Sequence, residues 1–220
     1  MSFTAYLRDK ADRLWEREHN HPFVVGIGKG TLPMEMFQYY LKQDYIFLLE
    51  FSRAIAIAAA KAPSLEDMGK FARLLDETLN IEMDLHLSYC GDLGLTKEDI
   101  LGTPPSPTTD GYTKHLLGVA YSGGALHAAT AILPCSWGYS EIGKALFALG
   151  LPKNAPLYSR WIEMYKSEEF AELALWLRSF IDREVRDMPI SVRNNLEQIF
   201  IKSSEYEYRF WDAAYRLEEW

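Results

Sequence analysis

Ala125-Leu-His-Ala-Ala-Thr-Ala-Ile-Leu-Pro-Cys-Ser-Trp-Gly-Tyr-Ser-Glu-Ile-Gly143 is an apolar stretch interrupted by groups that an inert core avoids: a thiol at Cys135, a phenol at Tyr139 and a carboxylate at Glu141. If it is helical, Cys135 and Tyr139 stand four residues apart on one face. Pro134 removes a backbone N–H immediately before the thiol and is expected to kink the helix there. Gly138 is expected to leave room beside the thiol for a flat group. The stretch predicts an all-helical pocket built around Cys135. A cysteine in an apolar helix is, on physical grounds alone, more often a small core residue.

Outward from this stretch, both flanks continue as helices. Towards the N-terminus, residues 4–18 read as one helix with Leu7, Ala11, Leu14 and Trp15 on its apolar side. His19 to Pro22 ends it, and Gly26, Gly28 and Gly30 are expected to form a loop. That GxGxG lacks the preceding strand and later glycine of a dinucleotide fingerprint. Thr31 is expected to cap a long helix that runs to about Ala62, with Pro33 in its first turn and Pro63 as its stop. Phe37, Leu41, Asp44, Leu48, Phe51 and Ile55 share one face of it. A carboxylate in the middle of that stripe costs free energy unless partnered. Its partner is either a salt bridge from a neighbouring helix or hydrogen bonds from a buried ligand.

Ser64 then caps a helix with Asp67 as a capping box, and the helical period of Phe71, Leu74, Leu75, Thr78, Ile81, Leu85 and Tyr89 lasts to Gly91 and Gly94. Thr96 opens a short turn through Ile100. Gly102-Thr-Pro-Pro-Ser-Pro107 is a stiff connector, after which Thr108 or Thr109 is expected to cap the next helix. Ser122-Gly-Gly124 separates that helix from the Cys135 segment, which ends near Gly150-Leu-Pro152. Residues 157–166 and 168–187 give two more helices, and the last runs from Pro189 almost to Trp220. No stretch alternates convincingly at period two, so strands are not expected. The fold class predicted is all-α, one domain over residues 1–220 with seven or more helices.

On the last helix, Leu196, Ile199, Phe200, Ser203, Glu207, Phe210, Trp211 and Ala214 form the apolar side. Glu207 lies inside that stripe, whereas Glu205 points roughly 200° away among Lys202, Arg209 and Asp212. If one of the two works inside the protein, it is Glu207.

Composition narrows the function classes. The 220 residues are 48% hydrophobic with a net charge of −8. The acidic balance shows no basic stripe for nucleic acid. The longest purely apolar run, Ala54 to Ala60, is far short of the roughly 20 residues that span a bilayer. The charged N-terminus is not that of a signal peptide. A cytoplasmic protein is expected, in which Cys90 and Cys135 stay reduced. For metals, Glu82 and His86 lie four apart on one helix and His127 and Glu141 on another, but the paired Glu-x-x-His motifs of di-iron bundles are missing. No metal site is expected, and His19 and His21 read as capping or surface groups rather than haem ligands. A thiol nucleophile, carboxylates raised by burial for proton transfer, and tyrosine faces suit a heteroaromatic substrate.

Gln43-Asp44-Tyr45, Leu133-Pro-Cys-Ser-Trp-Gly-Tyr139, Trp161-Ile-Glu-Met-Tyr165 and Glu207-Tyr-Arg-Phe-Trp-Asp-Ala-Ala214, four motifs in the right order across nearly the whole chain, resemble the TenA family (thiaminase II, aminopyrimidine aminohydrolase). The resemblance implies a haem-oxygenase-like bundle without haem or other cofactor, commonly a homotetramer. It implies hydrolysis of thiamin or of 4-amino-5-aminomethyl-2-methylpyrimidine to 4-amino-5-hydroxymethyl-2-methylpyrimidine, in thiamin salvage. By the same resemblance Cys135 is the nucleophile, Asp44 anchors and activates the aminopyrimidine, and Glu207 is the acid/base. Tyr112, Tyr139 and Tyr165 would wall the pocket. Phe47 stands where many members carry tyrosine, which removes a hydroxyl from the network around the acid/base. Two other readings use the same residues: a binding or regulatory protein that holds an aminopyrimidine without turnover, and a metal- or haem-dependent oxidase on the shared fold.

Overall fold

The computed structural model describes residues 1–220, apart from the side chain of Lys97. Among the described residues there are twelve α-helices and no strand. They are α1 (Phe3–Lys10), α2 (Asp12–His19), α3 (Pro22–Lys29), α4 (Met34–Ala60), α5 (Leu65–Glu77), α6 (Met83–Asp92), α7 (Lys97–Leu101), α8 (Pro107–Ser122), α9 (Ala125–Leu149), α10 (Pro156–Tyr165), α11 (Glu168–Glu184) and α12 (Ile190–Arg216). None is long and apolar enough to cross a membrane.

The Cys135 stretch is α9, and it is the axis of the bundle. It packs against α4, α8, α10, α11 and α12, so nearly its whole circumference is buried. A helix that is apolar all round can exist in water only in such a position. It runs unbroken through Pro134. Gly143 is where α10 comes closest: a Cβ there would lie 2.5 Å from the Tyr165 carbonyl carbon.

Several local expectations are corrected. Residues 4–18 form two helices, because the chain bends at Ala11, whose N–H is shared between the Leu7 and Arg8 carbonyls. The bend leaves Leu7, Ala11 and Trp15 all buried. Gly26 and Gly28 lie in helix α3, not in a loop. A Cβ on Gly28 would meet Leu146 of α9 at 2.7 Å, and one on Gly26 would meet Leu32 at 3.1 Å. These glycines serve close packing, and only Gly30, at φ 69°, uses the left-handed conformation, as the C-cap of α3. His21 caps the same helix, its Nδ1 accepting from the Phe23 N–H at 3.2 Å.

Pro33, not Thr31, precedes α4. Ser106, not Thr108 or Thr109, caps α8 by accepting from the Thr109 N–H. The Gly102–Pro107 connector is fixed from α4: the Gln43 amide donates to the Pro104 carbonyl (3.0 Å) and accepts from the Ser106 N–H (2.9 Å). Between α5 and α6 the chain widens into a π-turn, Thr78–Glu82. Periodicity alone predicts a continuous α-helix there.

Candidate active site

Asp44 on α4 is 3% exposed and meets His86 of α6, whose Nε2 donates to Oδ2 at 2.9 Å. The neighbouring-helix partner weighed for Asp44 is therefore His86. Burial by itself lowers the His86 pKa, but the Asp44 charge and hydrogen bond, with Glu82 behind them, outweigh it and leave the net shift upward. The Asp44 hydrogen bond thus favours the protonated imidazole inside the bundle.

Glu207 on α12 is 4% exposed and accepts a hydrogen bond from the Tyr112 hydroxyl of α8. Burial raises its pKa to about 8; the Tyr112 hydrogen bond acts downward and the Asp44 charge upward. Tyr112 is held by stacking on Tyr206, with ring planes 7° apart, and by Phe47 at 4.9 Å. Phe47 itself packs among Phe51, Tyr112 and Phe210 and brings no hydroxyl to this pair. Glu205 pairs with Lys202 and is partly exposed, so of the two α12 carboxylates it is Glu207 that faces inward.

Tyr139 and Tyr165 belong to an aromatic cluster with Trp161, Trp211 and Tyr40. Their rings are 4.7 Å apart, Tyr139 lies 5.0 Å from Trp211, and the Trp161 N–H donates to the Tyr40 hydroxyl at 3.3 Å. Tyr165 also reaches the π-turn, where its hydroxyl donates to Glu82 Oε1 at 3.1 Å. Burial raises Glu82 to about 7; His86 acts downward, Asp44 upward and the Tyr165 hydrogen bond downward.

Cys135 is 9% exposed and unbridged. Burial pushes its thiol pKa well up, and the charges of Glu207, Glu82, Asp44 and Glu18 push it further. The resting thiol is therefore protonated, and neutralising the neighbouring carboxylates is what would ease loss of its proton. Cys135 and Glu82 line the wall of a cavity of about 290 Å³, with Phe51, Leu74, Phe170 and Met164 as apolar lining and Arg73, Glu77, Ser167 and Glu169 also on its walls. Asp44, Phe47, Tyr112, Tyr139, Tyr165 and Glu207 are not in that wall; they lie buried around it.

Three members of the cluster were not singled out as site residues from the sequence. Glu82 and His86 were weighed there as metal ligands, and their Glu-x-x-x-His spacing was the available signal. Here each turns to a different partner, Tyr165 and Asp44. Glu18 of α2 is 1% exposed and its Oε1 has no partner. Burial and then the Glu207 charge hold its carboxyl well above the usual range. It lies 3.9 Å from where a Cβ on Gly138 would be, with Trp15 at 4.0 Å. The Gly138 face thus packs against Glu18 and Trp15 of α2 at van der Waals distance. Glu141 is turned outward to Arg8 (3.1 Å) and takes no part. Among the described residues no three His, Cys, Asp or Glu side chains are grouped so as to hold a metal ion.

Comparison with known proteins places this arrangement. The chain is 42% identical over 220 residues to an aminopyrimidine aminohydrolase of Halalkalibacterium halodurans, covering all of this chain and 98% of that one. A TenA homologue from P. horikoshii OT3 superposes with a TM-score of 0.90 at 31% identity, over 98% of this chain and 99% of that chain. Haem oxygenase 2 from Chlamydomonas reinhardtii, solved without haem, shares the fold alone, at 15% identity with a TM-score of 0.64 over 97% of each chain. Residues 8–217 match the family described as TENA/THI-4/PQQC, and the chain belongs to it.

Proposed function

We propose that this protein is an aminopyrimidine aminohydrolase that works by nucleophilic catalysis at Cys135. The observation that carries the reading is the position of that thiol, in the wall of a cavity among buried carboxylates. The name of the Halalkalibacterium halodurans relative supports it.

In this reading the amino-pyrimidine ring enters the aromatic cluster and stacks on tyrosine faces. Asp44, held by His86, accepts from the amino group of the ring. Glu207 is protonated near neutral pH because burial raises it to about 8, so it can give a proton to a ring nitrogen. That makes the ring an electron sink, and the Cys135 sulfur adds to it while its proton passes, by way of a neighbouring buried carboxylate, to the amine that will leave. The adduct expels the substituent on the methylene carbon with its bonding pair, and water then supplies the hydroxyl. Two smaller barriers replace one difficult displacement. Nucleophile and proton carriers all come from the chain, so the reaction is read as cofactor-free. The protein is taken as one domain over residues 1–220, since the site draws side chains from α4 to α12. A homotetramer in the cytoplasm is carried by the family resemblance alone.

The test is ammonia release from 4-amino-5-aminomethyl-2-methylpyrimidine, with thiamin in parallel, by the wild type and by Cys135→Ser. Wild-type turnover that falls by several orders of magnitude in the variant supports the reading, and the better substrate separates salvage from thiamin cleavage. Folded wild-type protein that binds either compound but turns over neither would sink it and leave a binding protein.

A further inference from the structure

The hydrolytic half of this reaction needs a base for water, and Glu207 is poorly placed to be that base. It is enclosed on all sides, occupied by Tyr112 and absent from the cavity wall. Glu82 has the complementary position. It shares the wall with Cys135. Its Oε1 takes the Tyr165 hydroxyl, and among the described residues Oε2 has no protein partner. Glu82 can therefore be reached from the cavity beside the Cys135 thiol.

The backbone adds an independent sign. Glu82 is the last residue of the π-turn Thr78–Glu82, where the Met83 N–H bonds back to the Thr78 carbonyl. One such turn inserts a residue into the helical frame and re-aims the side chains after it, and π-turns occur frequently at functional sites.

We infer that Glu82 is a second catalytic carboxylate, the general base that activates the hydrolytic water, leaving Glu207 to serve the ring. The inference rests on the aminohydrolase reading above. After the substituent has left with its electron pair, the methylene carbon of the Cys135 adduct is electrophilic. The water oxygen bonds to that carbon while Glu82 takes a water proton. The ring electrons then return, the ring nitrogen gives its proton back to Glu207, and the C–S bond breaks with its pair on sulfur. The proton on Glu82 then passes to the Cys135 sulfur, which restores the resting thiol and the ionised Glu82.

The groups facing Glu82 set when it can do this. Asp44 comes from α4, His86 from α6, Cys135 from α9 and Tyr165 from α10. Arg73 and Glu77 from α5 and Glu169 from α11 lie on the same cavity wall, the first two paired at 2.7 Å. With a pKa of about 7, Glu82 gains its charge as pH rises through neutrality. Glu207, at about 8, still holds its proton there. Of the two carboxyls, Glu82 is thus the one that ionises at the lower pH, the order that a water base and a ring acid require.

The experiment is pre-steady-state release of the leaving group by wild type, Glu82→Gln and Glu82→Asp, with folding checked by circular dichroism and melting temperature. Glu82→Gln should release about one equivalent per site in a burst and then hydrolyse roughly 10²-fold or more slowly than wild type. Pyridine, a nucleophile with no proton to lose, should restore turnover of the leaving group in Glu82→Gln. The limb of the hydrolysis rate that rises near pH 7 should vanish in Glu82→Gln and survive in Glu82→Asp. Steady hydrolysis within tenfold of wild type overturns the inference. So does a slow reaction without a burst, which assigns Glu82 to an earlier step or to the fold. A wild type inactive on every aminopyrimidine would instead remove the aminohydrolase reading beneath it.

Discussion

Glu207→Gln should make the protein more stable in alkali, whatever it does to activity. A carboxyl raised from 4.5 to about 8 holds its proton more tightly in the folded state than in the unfolded one. The folded state is therefore favoured by this group below pH 4.5, and that advantage is lost as pH rises towards 8. With 1.36 kcal/mol per pKa unit, the loss is about 1 kcal/mol at about pH 5 and about 5 kcal/mol at about pH 9. Glutamine keeps the shape and can accept from Tyr112 but does not ionise, so the variant escapes a loss of about 4 kcal/mol between those limits. For a chain of this size that corresponds to roughly 8–16 °C in Tm. The assay is thermal unfolding of both proteins across that range, reading the difference between their curves so that all other titrations cancel. Parallel curves would refute the reasoning, because they would mean that Glu207 ionises in the folded protein as easily as in the unfolded chain.

Asp44→Asn should destabilise at neutral pH by about 3–5 kcal/mol, since it leaves His86 buried without its counter-charge; urea unfolding of the variant within 1 kcal/mol of wild type would mean that the pair contributes little. Gly143→Ala should lower stability by about 1–3 kcal/mol, because its methyl meets backbone at Tyr165 and Lys166 rather than a movable side chain. Melting temperature reports the first effect, and loss of turnover out of proportion to unfolding would report displacement of Tyr165.

The helices were legible wherever an apolar stripe ran at helical period between recognisable ends, as in α4, α9 and α12. Glu207 was legible for the same reason: a carboxylate inside an apolar stripe stands out, and Glu205 two positions away does not. The failures share a cause. Gly26 and Gly28 look like loop residues in isolation, and only the nearness of Leu146 and Leu32 explains glycines inside α3. The α5–α6 segment reads as one helix because a π-turn of five residues leaves no mark on a pattern of apolar positions. Glu82 and His86 carried a visible spacing, but nothing in that spacing says that one of them turns to Tyr165 and the other to Asp44.

By itself, the order of residues determined an all-helical chain, the helix faces on which Asp44, Cys135, Tyr139 and Glu207 stand, and the family they belong to. These are local properties: periodicity, caps, and the anomaly of a polar group on an apolar face. Only the tertiary structure decided which faces meet. It set Asp44 against His86 and Glu207 against Tyr112, buried Glu18 behind Gly138, and opened the cavity onto Cys135 and Glu82. The Glu207–Tyr112 pair alone joins residues 95 positions apart, and the raised pKa values follow from burial, which exists only once the helices have packed.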